Sequence, residues 1–126
     1  MPKGLSEIAD KLRAEIAERH SARERALADA RKIIQLSAKA IKHIHRGERP
    51  QAENLLAEAE ETVKAARQSL LNYPGIYHAN YLQDAMKEFA EAMTFSSLAA
   101  DTVLPDAESL GIEPQAFLNG LCEAAS

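Results

Sequence analysis

The chain has 126 residues, enough for one hydrophobic core and not for a second, and reads as a single domain over residues 1–126. Hydrophobic residues make up 46% but aromatics only 5%, with no tryptophan, so Ala, Leu and Ile must fill that core, which suits packed helices better than sheets. The lone Cys122 excludes an internal disulfide and a zinc-ligating cysteine pair; without a membrane-length apolar run or a signal-peptide apolar region in MPKGLSEIADKL, a soluble, cytoplasmic protein is expected.

Net charge is -4, but it is unevenly spread: residues 1–50 carry 12 Lys+Arg against 7 Asp+Glu, and residues 51–126 carry 3 against 12. A basic half beside an acidic half can bind a polyanion on one surface and a cation on another. On charge alone a pair of solvated helix faces is the stronger reading.

From about Ser6 to Ile44 there is neither Pro nor Gly, which predicts one helix of roughly 40 residues, about 60 Å long. Leu27, Ala30, Ile34, Ser37, Ile41 and Ile44 alternate offsets of three and four, a seam for packing on another helix. Ahead of them Ile8, Leu12 and Ile16 begin a similar stripe that runs into Arg19, His20 and Arg23. Either the helix overhangs its own bundle there, inviting a partner subunit, or those bases face a phosphate backbone.

Gly47 and Pro50 mark a helical hairpin. A second helix from about Gln51 to Leu71 sets Ala52, Leu55, Ala59, Val63, Ala66 and Leu70 on its packing face. Asn72 to Gly75 break the pattern, a third helix begins between Ile76 and Tyr81, and Pro105 ends it. A polar link with Asp106, Glu108 and Gly111 leads to a fourth helix opened by Pro114 and running to the last residue.

The third helix carries the chemical clue. Asp84, Glu88 and Glu91, at offsets of four and three, place three carboxylates on one side of a largely apolar helix, where they can hold a hard cation such as Mg²⁺ or Mn²⁺. Glutamates three apart are also common on exposed helices, and Asp84 reads at least as well as a solvated residue. Tyr73, Tyr77 and Tyr81 can stack bases or close the bundle top, packing being the stronger reading. His43 and His45, two apart, cannot chelate together, and His45 with Arg46 suits a helix C-terminus. There is no nucleophile triad, phosphate-cradling loop or dinucleotide fingerprint.

The run ARKIIQLSAKAIKHIHRGE, then an Ala/Leu/Glu-rich helix, then KEFAEAMTF, then LGIEPQAFLNGLCEAA, resembles the translin family, and within it the catalytic branch of translin-associated factor X. The likeness covers about Arg23 to the C-terminus: SAKAIKHIHR matches the family's hairpin segment, and EFAEA the glutamate pair of the factor X branch. The resemblance implies an all-α, antiparallel helical bundle assembling into an octamer-like shell, binding single-stranded RNA or DNA, and cutting RNA with metal-bound acids. The family's glutamate pair falls on Glu88 and Glu91, and its third acid, an Asp, on Glu123, one methylene longer. Arg19, Arg23, Lys32 and Lys42 are the expected phosphate contacts. Family members usually continue for several more helices, so the bundle is expected to be incomplete at its C-terminus. A non-catalytic single-strand binder, with structural acids, and a purely structural helical oligomer are the alternatives.

Overall fold

A computed structural model describes residues 4–126, which form six helices in the order α1 (Leu5–His45), α2 (Arg49–Ser69), α3 (Pro74–Tyr77), α4 (Asn80–Ala100), α5 (Ala107–Leu110) and α6 (Pro114–Ala125). There is no strand among the described residues. The long first helix is continuous, turns back through Gly47 at φ 73°, and is followed by α2 with Pro50 in its first turn. The left-handed φ is one that glycine adopts without a Cβ penalty. The later half of α1 packs along both α2 and α4, and α6 packs on the other side of α4. Phe89, Leu82 and Met86 of α4 fill the centre with Ile33 of α1 and Val63 of α2.

The packing seam of α1 is rotated from the predicted one. Ala22, Ala26, Ala30, Ile33, Leu36, Ser37 and Ala40 are buried, while Ile34 is exposed and Leu27, Ile41 and Ile44 are half-buried. Two helices grip α1 at once, and the alanines allow both backbones to approach it closely. A seam drawn through the largest side chains assumes a single partner. On α2 and at its C-terminal end Ala52, Ala59, Val63, Ala66 and Leu70 are buried as predicted, while Leu56 is buried in place of Leu55, which is half-buried.

Two boundaries also differ. A four-residue helix, Pro74–Tyr77, occupies part of the predicted break, and Tyr77 is buried there. Helix α4 stops at Ala100 rather than at Pro105, because Asp101 takes a left-handed conformation, φ 55°, whose N–H bonds back to the helix. In the link that follows, Asp106 accepts from the Ser109 N–H at 2.8 Å and the Ser109 hydroxyl accepts from the Asp106 N–H, a capping box that starts α5.

Buried residues begin at Ala22 on α1, so the first four turns project past the bundle. Leu5, Ile8, Leu12 and Ile16 are all exposed on that projection, Ile16 at 68%. No described helix is long and apolar enough to cross a membrane.

Candidate functional site

The site grows from the crossing of α4 and α6. Gly120 is buried on α6, and a Cβ built there would lie 2.6 Å from the Lys87 carbonyl oxygen, 2.7 Å from the Ala90 Cβ and 2.8 Å from the Glu91 nitrogen. With no side chain at 120 and only a methyl at 90, the two backbones touch. Glu123 follows one helical turn later, and Glu88 and Glu91 flank the contact point on α4.

The consequence is a cluster of carboxylates from two helices. One oxygen each of Glu88, Glu91 and Glu123 can be chosen so that all three lie within 4.8 Å of one another. Glu88 and Glu91 are half-buried and Glu123 is exposed. Glu91 is pushed up to about 7 from the ordinary carboxylate range, first by burial and then by the neighbouring Glu88 and Glu123 carboxylates. Like charges packed this closely favour holding a proton or a cation between them. Three hard oxygen donors open to solvent on one side match the preference of Mg²⁺ or Mn²⁺ for carboxylate and water ligands.

Lys87 completes the cluster, and sequence reasoning missed it. Its Nζ lies 3.2 Å from Glu123 Oε1 and 3.7 Å from Glu88 Oε1. The hydrogen bond to Glu123 is the main cause that raises its pKa above the ordinary lysine value. Adjacent residues on a helix point to different faces, so a Lys next to Glu88 in sequence gives no sign of sharing its site. Here the long stem of Lys87 reaches sideways because α6 brings Glu123 to it.

Asp84 is exposed and stands outside the cluster, on the wall of a groove of about 580 Å³ shared with Asn80, Gln83, Lys87, Glu113 and Asn119. The third acid beside Glu88 and Glu91 thus comes from α6 and not from the stripe on α4.

The basic residues do not converge. Arg19 and Arg23 sit one turn apart where α1 leaves the bundle, both exposed. Nine residues on, Lys32 is turned about 180° around the helix, and its Nζ is 3.5 Å from Glu58 Oε1. Lys42 is exposed near the hairpin. Four bases spread around one continuous helix form no single patch.

The tyrosines pack. Tyr77 is buried and donates its hydroxyl to Glu113 Oε1 at 3.1 Å, while Tyr73 and Tyr81 lean on the core from its edge. His43 Nδ1 is 3.1 Å from Glu48 Oε1 across the hairpin, and the His45 ring lies 5.0 Å from that of Phe95.

No protein-family model matches this sequence, and no curated protein matches it significantly. Among solved structures it is similar to the chain described as the crystal structure of apo-NeC3PO, with 21% identity and a TM-score of 0.85 over 99% of this chain and 64% of that one. The chain thus spans just under two thirds of that neighbour's length. What the two share is the fold, an all-helical bundle.

Proposed function

We propose that this chain binds single-stranded nucleic acid and cuts RNA with a metal-dependent site built from Glu88, Glu91 and Glu123. The observation that supports it is the convergence of three carboxylates from two helices in a translin-type fold. Mg²⁺ or Mn²⁺ bound there would supply Lewis-acid charge for a scissile phosphate and a more acidic water. Glu88, Glu91 and Glu123 would hold the ion through carboxylate oxygens, the ion taking the place of the proton that burial and the neighbouring carboxylates favour on Glu91. Arg19 and Arg23 would carry the strand toward the bundle by phosphate contacts. Further copies of the chain would cover Leu5, Ile8, Leu12 and Ile16 and build a shell.

Cleavage of a labelled single-stranded RNA tests this reading. Cutting is expected with Mg²⁺ or Mn²⁺ and is expected to vanish with EDTA and in Glu88→Gln and Glu91→Gln. RNA that stays intact under every metal condition overturns it. A second reading, a single-strand binder with structural acids, is favoured by the ion pairs of Lys87, which already neutralise part of the cluster. It predicts salt-sensitive binding with no cleavage to lose.

A further inference from the structure

Lys87 belongs to two features at once. Its ammonium joins Glu123 and Glu88, and its side chain also lines the polar groove with Asn80, Gln83, Asp84 and Asn119. Three carboxylates gathered within 4.8 Å repel one another, and an ammonium at their edge offsets part of that repulsion. A divalent cation seated among the same carboxylates would lie within a few ångströms of that ammonium, where like charges repel strongly. The two cations compete for the same carboxylates.

The fold gives the loser somewhere to go. The Lys87 side chain is 24% exposed, and its flexible four-carbon stem can swing its head to the groove without disturbing the core. Apart from His78, Lys87 is the basic residue among those lining that groove, whose other polar groups are carboxamides and the carboxylates of Asp84 and Glu113. The released ammonium therefore has the carboxylates of Asp84 and Glu113 to meet.

We propose that Lys87 is the resident counter-ion of the acid cluster and that a divalent cation displaces it into the adjoining groove, where its ammonium pairs with the carboxylates of Asp84 and Glu113. The inference rests on the metal site proposed above.

Calorimetric titration of Mn²⁺ into the whole chain without nucleic acid tests this, using the natural protein, Lys87→Met and Lys87→Arg. Removing the competitor is expected to tighten Mn²⁺ binding in Lys87→Met by about two- to fivefold, the range of a partly exposed ion pair. Lys87→Arg, which keeps the charge, is expected to stay near the natural value. If Lys87 merely holds Glu123 in place, Lys87→Met binds Mn²⁺ no better or more weakly, and the proposal falls while the metal site stands. If neither the natural chain nor Lys87→Met binds Mn²⁺, the metal site itself falls and takes the proposal with it.

Discussion

Gly120 leaves no space between itself and Lys87: a Cβ on the glycine would come within 2.6 Å of the lysine's carbonyl oxygen. The obstacle is backbone on a packed helix and cannot turn aside as a flexible side chain would. Gly120→Ala is therefore expected to push α6 off α4, costing about 1–3 kcal/mol by overpacking and carrying Glu123 away from Glu88 and Glu91. Urea unfolding reads the first effect and Mn²⁺ titration the second. Glu123→Gln, which leaves the helix crossing intact, is expected to weaken Mn²⁺ binding without the stability loss.

Glu91 gives the fold a pH dependence of defined sign. Its carboxyl is raised in the folded chain from the ordinary value of 4.5 to about 7, so between those values the folded state holds more protons than the unfolded one. The contribution is thus fully present below about 4.5 and is lost as pH rises through about 7. Thermal melts over this window are expected to show that loss, and Glu91→Gln is expected to remove it. Mn²⁺ affinity is expected to rise over the same interval, since the ion must replace the proton.

Ser37 is buried on α1 with a hydroxyl oxygen that has no hydrogen-bond partner among the described residues. An unpaired buried hydroxyl is a cost to the fold, so Ser37→Ala is expected to be neutral or stabilising by up to about 1 kcal/mol. Chemical denaturation checks this, and a clear loss of stability would show that the hydroxyl is satisfied in solution.

The apolar stripe of α1 is expected to be covered by another copy. Ile8→Asp with Ile16→Asp is expected to lower the assembly mass in light scattering. The bundle's own unfolding should change by no more than about 0.5 kcal/mol once assembly is accounted for, because both side chains are exposed. An unchanged mass would place the contact between copies elsewhere.

Among the basic residues, Arg19 and Arg23 are expected to matter more than Lys32. The arginines share one exposed stripe, whereas Lys32 is turned about 180° from Arg23 and already paired with Glu58. Replacing both arginines with Ala is expected to reduce the salt slope of single-strand binding by about 1.4, and Lys32→Ala to leave it nearly unchanged. Equal effects would mean that the strand wraps around the helix.

Local chemistry was legible in the chain before any coordinates. The unbroken stretch to Ile44 predicted a helix that runs Leu5–His45, Gly47 and Pro50 marked the hairpin, and Pro114 opened the last helix. These signals are carried by single residues whose backbone preferences hold wherever they are placed. The stop at Asp101 was not legible, because a left-handed aspartate has no cue as plain as proline's.

The tertiary structure decided everything that depends on which helix lies against which. It kept Ala30 and Ser37 of the predicted α1 seam and rotated the rest onto Ala22, Ala26, Ile33, Leu36 and Ala40, since a helix held by two neighbours buries the residues that let both approach. It brought Glu123 and Lys87 to Glu88 and Glu91 through the contact at Gly120. The sequence by itself determined the helices and which acids were on offer, because periodicity and backbone preference act within a few residues. Only the packed fold decided which charges meet, because that depends on contacts between residues more than thirty positions apart.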